Sequence, residues 1–222
     1  MNKIAVFTSI TGDYDEPVID QNYEGADFFL FTDKNIDEFK KDRGKWKLLS
    51  ATNMFSDPRR NARYHKLIPH EIFSGYDYTI WIDGSIKLIS PPIHFIKQMN
   101  EHDILTCYHP VRNCIYKEAE ECLRLKLDSP EKINFHVDRL KAYDYPEENG
   151  LAETKIVVRK NTPIVNLFNQ EWFYQLMTGS ARDQLSFNYA AWITGVRVRY
   201  IDPISKGNKN LEVSKKHERR QY

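Results

Sequence analysis

One stretch of the chain, YTIWIDGSIKLI at residues 78–89, joins a strongly apolar run to a polar break. Residues 80–82 are uninterrupted Ile, Trp and Ile, the pattern of a strand buried on both faces of a sheet. The run stops at the triplet Asp-Gly-Ser, residues 83–85. Asp-Gly is a common turn pair, but a carboxylate at the end of a buried strand is costly unless something binds it. The stretch therefore indicates either a structural turn or a site for a metal or a hydroxyl-rich ligand.

The rest of the chain alternates strand-like and helix-like segments. Strand character recurs at residues 3–9, 26–33, 45–50, 103–110, 150–161 and 196–203. Helices are predicted to begin at residues 57–58, 129–130 and 162–163, where an Asp, Ser or Thr precedes a Pro, and two more fall in 113–127 and 181–195. This alternation predicts an α/β domain, with a mainly parallel central sheet flanked by helices and a Rossmann-like nucleotide-binding half.

The composition fits one soluble domain. The chain has 222 residues, 41% hydrophobic and 28% charged, and we expect a single domain over 1–203 followed by a flexible basic tail over 204–222. With a net charge of only +1, the chain has no strong overall positive field that would attract nucleic acid. No apolar stretch reaches the roughly 20 residues that cross a bilayer, and the first residues lack a signal-peptide pattern.

Two further features suggest a location. The three cysteines fit neither a zinc site nor a disulfide framework, so we expect a reducing, cytoplasmic setting. The six Lys and Arg residues of the tail are either solvated at a frayed end or attach the protein weakly to an anionic membrane surface, at about 1 kcal/mol each.

In largely parallel sheets, ligands bind at the carboxyl ends of the strands. That rule selects residues 8–15, 32–33 and 83–85 as one candidate pocket. A basic helix adds Arg59, Arg63 and Lys66, which lie on one face at i, i+4 and i+7. They are either a solvated basic face or a clamp for a diphosphate.

Three other groups are candidate site residues. Asp183 and Gln184 begin a helix, where the Asp can cap the helix and the Gln can face a ligand. His109, Arg112 and Tyr116 follow a strand end, and either line an acceptor pocket or form a polar loop. Glu153 precedes an apolar strand and is a further pocket carboxylate.

Three segments of the chain resemble a known family. They are RRNARYHKLIPHEIFSGYDYTIWIDGSIKL, HPVRNCIYKEAE and RDQLSFNYAAW, within residues 57–192. They resemble the glycosyltransferase-like domain shared by the plant TOD1 and MUCI70 proteins, which is of the GT-A type. A more distant similarity is to retaining GT-A enzymes of the glycogenin and galactosyltransferase kind, in which an Arg or Lys helix precedes an Asp-x-Asp strand and a later Asp-Gln pair. The resemblance implies a GT-A-like fold and a transferase.

The resemblance also implies a nucleotide-sugar site. Thr8, Asp13 and Tyr14 would hold the base and ribose of a UDP- or GDP-sugar. The basic helix, through Arg59, Arg63 and Lys66, would face the diphosphate.

Further roles follow from the same resemblance. Asp83 would contact the ribose or a Mn²⁺ or Mg²⁺ ion, and Ser85 stands where those enzymes have a second, metal-binding Asp. Asp183 and Gln184 would lie near the anomeric carbon. The acceptor would be a glycan, as in polysaccharide biosynthesis, or a lipid-linked sugar.

Glycosyl transfer builds positive charge on the sugar and negative charge on the leaving diphosphate, and the site must stabilise both. The Asp-Gln pair favours retention of configuration. An inverting enzyme would need a general base, for which Asp183, Glu153 and His109 compete. Two other classes stay open: a hydrolase using the same pocket, and a non-catalytic module that binds sugar nucleotides or glycans.

Overall fold

The computed structural model describes residues 2–12, 18, 21, 23–34 and 44–214. The strands are β1 (Ile4–Ile10), β2 (Asp27–Thr32), β3 (Trp46–Ser50), β4 (Tyr78–Ile82), β5 (Ile86–Leu88), β6 (Ile104–Tyr108), β7 (Ala152–Lys160), β8 (Val198–Ile201) and β9 (Leu211–Val213). The helices are α1 (Pro58–Leu67), α2 (Pro69–Ile72), α3 (Pro92–Gln98), α4 (Ile115–Arg124), α5 (Pro130–Ala142), α6 (Pro163–Thr178) and α7 (Gln184–Thr194).

Seven strands form one sheet in the order β3-β2-β1-β4-β7-β6-β8. The expected α/β architecture with a mainly parallel sheet is confirmed, since β3, β2, β1 and β4 pair in parallel, as do β6 and β8. Only β7 runs antiparallel to its two neighbours. The amino end of β7 therefore lies at the same edge as the carboxyl ends of the others, and Asp83 N donates to Lys155 O at 2.8 Å.

Both faces of the sheet are covered. On one face, Ile80 and Ile82 pack with apolar residues of α3 and β5, and on the other, Phe7 and Trp81 pack with apolar residues of α1, α6 and α7. A third apolar cluster joins α4 and α5 to the outer side of α7. Burial of β4 on both faces is the reason that its sequence shows no alternation.

The predicted helix starts are confirmed. Asp57 caps α1, its carboxylate accepting from Arg59 N at 2.9 Å, and Ser129 caps α5. Gly12, just after β1, packs closely on this start: a Cβ on Gly12 would lie 2.8 Å from Pro58 Cβ, and Gly12 has a positive φ of 68°. Glycine lets the backbone at this position lie against the first turn of the basic helix.

The described part of the expected flexible tail is ordered. After a 3-10 helix (Ile204–Lys206), β9 pairs with β5, and Ser214 N donates to Ser85 O at 2.9 Å. A boundary at residue 203 is therefore not supported, because Leu211 is buried in the core. Residues 215–222 lie outside the described part of the chain. In that part, none of the helices combines the length and the apolar character that a membrane span requires.

Candidate functional site

The buried ammonium of Lys66 is the centre of a polar cluster at the carboxyl edge of the sheet. Lys66 lies in the last turn of α1 and is 4% exposed. Its Nζ is 2.6 Å from Asp183 Oδ2, 3.0 Å from Thr154 Oγ1 and 3.7 Å from Asp83 Oδ1. Four elements thus meet at this one cation: α1 and β4 with their carboxyl ends, and β7 and α7 with their amino ends.

Arg63 completes the contacts of Asp183. Arg63 Nε donates to Asp183 Oδ1 at 2.9 Å, and Thr154 Oγ1 donates to Asp183 Oδ2 at 3.1 Å. Asp183 is only 6% exposed. The capping alternative for this residue is not supported, because its side chain makes no cap hydrogen bond with α7.

The charge state of Asp183 follows from these contacts. Burial alone would raise the pKa of the carboxyl, but the positive charges of Lys66 and Arg63 outweigh burial and hold the pKa well below its ordinary value of 3.8. The group is therefore a fixed negative charge at neutral pH. A general base works best with a pKa near the working pH, so this carboxylate is poorly suited to remove a proton.

Asp83 has one oxygen engaged and the other turned outward. Trp81 Nε1 donates to Asp83 Oδ1 at 2.8 Å, and the same oxygen faces Lys66. The side chain of Asp83 is 38% exposed, so Oδ2 is available to a hydroxyl or a cation. Ser85, two residues later, is largely buried, and its carbonyl bonds to Ser214.

The site offers little for a metal held by protein alone. Among the described residues, no group of three or more His, Cys, Asp or Glu side chains is placed to hold a metal ion. Asp83 Oδ2 can supply one oxygen ligand, and Mg²⁺ sites often use one or two carboxylates together with substrate phosphates. The residues therefore fit a Mn²⁺ or Mg²⁺ ion only as part of a complex with a phosphorylated ligand.

Gln184 has a structural partner. Its Nε2 donates to Ala152 O at 2.8 Å, while Asn188 Oδ1 accepts from Ala152 N at 2.9 Å. The two amides of α7 thus bind both backbone groups of the first residue of β7. They fix α7 against the strand that carries Thr154.

The proposed acceptor residues form a separate cluster. Arg112 Nε donates to the buried Glu118 Oε2 at 2.6 Å, and Tyr116 Oη donates to Tyr145 O at 2.7 Å. His109 Nδ1 accepts from Arg112 N at 3.0 Å. A neutral His109 therefore carries its proton on Nε2 and has no free lone pair, which weakens its case as a general base.

Glu153 lies near this cluster but points away from Asp183. Successive strand residues face opposite sides of a sheet, and the neighbouring Thr154 faces Asp183. Glu153 instead pairs with Lys155 at 2.6 Å.

Burial lowers the pKa of His109, and the nearby negative charges of Glu118 and Glu153 oppose that shift.

Two of the remaining predicted donor residues, Thr8 and Arg59, are not brought to the cluster. Thr8 is 1% exposed inside β1, so a ligand cannot reach it in this arrangement. Arg59 pairs with Asp57 at 2.9 Å and donates to Leu127 O. Asp13 and Tyr14 lie outside the described residues.

Sequence reasoning missed several residues of the site. Thr154 bridges Lys66 and Asp183, Trp172 Nε1 donates to Asp183 O at 2.8 Å, and Arg159 Nη2 donates to Lys66 O at 2.9 Å. The available sequence signal was that Thr154 and Arg159 lie in one predicted strand, on either side of its apolar run at residues 156–158.

The fold and the cluster together describe an α/β domain with helix-borne cations at the carboxyl edge of its sheet. The chain belongs to the TOD1/MUCI70 glycosyltransferase-like domain family, whose model matches residues 18–221. The expected family is thereby confirmed. A solved structure of similar fold is the apo bifunctional glycosyltransferase WbbM, with a TM-score of 0.56 and 12% identity, covering 90% of this chain and 39% of that one.

Two curated relatives come from Arabidopsis thaliana. One is named probable hexosyltransferase MUCI70 and is 26% identical over 211 residues, covering 83% of this chain and 36% of the relative. The other is named alkaline ceramidase TOD1 and is 23% identical over 161 residues, covering 66% of this chain and 35% of the relative. The chain therefore spans about a third of the length of these relatives.

Proposed function

We propose that this protein is a glycosyltransferase that moves a sugar, such as a hexose, from a UDP- or GDP-sugar to a glycan or lipid-linked acceptor. The observation that carries the proposal is the arrangement of Lys66 and Arg63 around Asp183 at the carboxyl edge of the sheet. Parallel sheets bind ligands at this edge. Family membership supports the same reaction class.

In this proposal Lys66 and Arg63 stabilise the leaving diphosphate. Both lie in a poorly solvated cluster, where charges act more strongly than in water, and preorganised charge contributes more to the rate enhancement of many enzymes than any other effect. Asp83 Oδ2 accepts a hydrogen bond from a ribose hydroxyl. A bound Mn²⁺ or Mg²⁺ ion would add positive charge at the phosphates, with Asp83 as its protein ligand.

Asp183 then serves as a fixed negative charge near the sugar. Its low pKa and the tautomer of His109 weaken two of the three candidate general bases that inversion would need. Glu153, the third, points away from Asp183. These features favour retention of configuration, with Asp183 supporting the positive charge that develops at the anomeric carbon.

The test is binding of UDP, GDP and their sugars, measured by thermal shift and calorimetry with Mn²⁺, Mg²⁺ or EDTA. A ligand that binds only the folded state raises the melting temperature. We expect a shift with one nucleotide that is lost in Arg63→Ala and Asp83→Ala. Arg197→Ala is the matched control, because Arg197 also pairs with an Asp, Asp103, but does so at the opposite edge of the sheet.

Turnover with the bound nucleotide-sugar separates the remaining classes. Sugar transfer with retained configuration supports the proposal, and an inverted product contradicts its stereochemical part. Binding without turnover would indicate a sugar-nucleotide-binding module. No nucleotide shift with any metal would contradict the donor site.

A hydrolase is the second candidate, because one relative is named an alkaline ceramidase. The contact most like a nucleophile–base pair in the described chain joins Ser9 Oγ and His65 Nδ1 at 3.4 Å. His65 Nδ1 also faces Asn61 O at 3.1 Å, and Nε2 accepts from Thr52 N. The proton therefore sits on Nδ1, and His65 cannot activate Ser9. Hydrolysis of ceramide by the purified protein would overturn this preference.

We propose a cytoplasmic protein whose basic carboxyl-terminal residues add weak contact with an anionic membrane. Equal sedimentation with anionic liposomes before and after removal of residues 215–222 would contradict that contact.

A further inference from the structure

Arg159 is a buried cation with no carboxylate partner among the described residues. It lies in β7 and is 1% exposed. Its Nη2 donates to Lys66 O at 2.9 Å, whereas Nε and Nη1 have no hydrogen-bond partner in the described chain. Within the same part of the chain, no Asp or Glu forms an ion pair with its guanidinium.

Such a residue is costly to the fold. Charged side chains are almost never fully buried unless paired, and desolvating an unpaired charge destabilises the folded state. The face of Trp172 offsets part of this cost, because Arg159 Cζ lies 5.5 Å from the ring centroid. Lys66 Nζ lies 5.8 Å from the same centroid, so the two cations share one aromatic ring.

We propose that Arg159 supplies an uncompensated positive charge that completes an anion site built on Lys66 and Arg63. The inference rests on the proposed function and assigns this charge to the diphosphate of the donor. Asp183 and Asp83 offset the charges of Lys66 and Arg63, so the charge of Arg159, which reaches the cluster from the other end of β7 through the Lys66 carbonyl and the Trp172 ring, is not offset there. A diphosphate that binds beside Lys66 restores the balance.

Arg159 acts at a distance and is a positioning residue. Its hydrogen bond holds the carbonyl of Lys66 at the end of α1, and its charge reaches the ligand through a poorly solvated interior, where screening is weak. The charge and the hydrogen bond can be separated by substitution. Arg159→Lys keeps the charge, and Arg159→Met removes it while filling much of the same volume.

The experiment measures the melting temperature of the full chain and its affinity for UDP, GDP, inorganic pyrophosphate and uridine. We expect Arg159→Met to raise the melting temperature, because an unpaired buried charge is removed. The same variant should bind the nucleoside diphosphate and pyrophosphate about tenfold more weakly. Uridine binding should not change, and Arg159→Lys should keep most of the diphosphate affinity.

Arg139→Met is the matched control. Arg139 in α5 bonds to Gln175 and Thr178 and lies over Phe135, away from the Lys66 cluster. Its loss should leave diphosphate affinity unchanged.

Two results would overturn the inference while the proposed function stands. In the first, Arg159→Met lowers the melting temperature and binds diphosphate as tightly as wild type, which makes Arg159 purely structural. In the second, Arg159→Met and Arg159→Lys lose diphosphate affinity to the same extent, which assigns the effect to the hydrogen bond of Arg159 and not to its charge. If wild type binds none of the three anions, the donor site itself fails, and the inference fails with it.

Discussion

Lys66 Nζ and Asp183 Oδ2 lie 2.6 Å apart, and both side chains are buried. This ion pair joins the carboxyl end of α1 to the amino end of α7 above the edge of the sheet. A buried pair contributes little net stability by comparison with apolar residues, but breaking it is expensive because one charge is left without its partner. The pair is therefore a sensitive point for both stability and function.

Asp183→Asn should lower the free energy of unfolding by about 3–5 kcal/mol, because the buried Lys66 and the partly buried Arg63 lose their carboxylate. Urea denaturation at neutral pH measures the change. Adding Lys66→Met to that variant should recover part of the loss, because one unpaired charge is then removed. A loss below about 1 kcal/mol would place the pair among weak surface ion pairs.

Acid should remove the contribution of Asp183. Its pKa is lowered on folding by Lys66 and Arg63, so the unfolded chain binds the proton more tightly. The stabilisation is therefore present above the ordinary carboxyl pKa of about 4 and is lost progressively as the pH falls below it. In urea titrations, the difference between wild type and Asp183→Asn should shrink between about pH 5 and about pH 3. A difference that stays constant over that interval would contradict the assignment.

Trp81→Phe should weaken nucleotide binding about tenfold, because Asp83 loses the indole N–H that holds its Oδ1. The ring that packs on Phe7 is largely kept. Calorimetry with the best-binding nucleotide measures the effect. Trp46→Phe is the control, because this substitution in β3 also removes a buried indole hydrogen bond, the one that Trp46 Nε1 donates to Val18 O. Equal losses of affinity in both variants would indicate a general weakening of the fold.

His65→Phe should make the protein less sensitive to mild acid. Burial lowers the pKa of His65 to about 4, so the unfolded chain takes up a proton that the folded chain does not. The stability of wild type should fall by about 2 kcal/mol between pH 6.5 and pH 4.5 from this group. Phe keeps the stacking on Phe31 and cannot titrate. If the free energy of unfolding changed by the same amount between pH 6.5 and pH 4.5 in wild type and in His65→Phe, this contribution would be ruled out.

Short-range features of the chain were predictable from sequence. The helix start at Asp57-Pro58 depends on a capping residue directly before a proline. The strand at residues 78–82 depends on the apolar character of consecutive residues. The rule that ligands bind at strand ends also selected Asp83, and the basic helix selected Arg63 and Lys66.

The sequence by itself thus determined most of the longer elements and the residue types at their ends, because capping and periodicity act within a few residues, but it did not reveal α3 or β9. Only the tertiary structure decided that β7 runs antiparallel, and so brings Thr154 to the site from its amino end. It also decided that Asp183 contacts Lys66 and that Arg159 lies behind Lys66 with no carboxylate partner in the described chain. Such contacts join residues far apart in the chain and depend on strand order and helix packing, which no local pattern records.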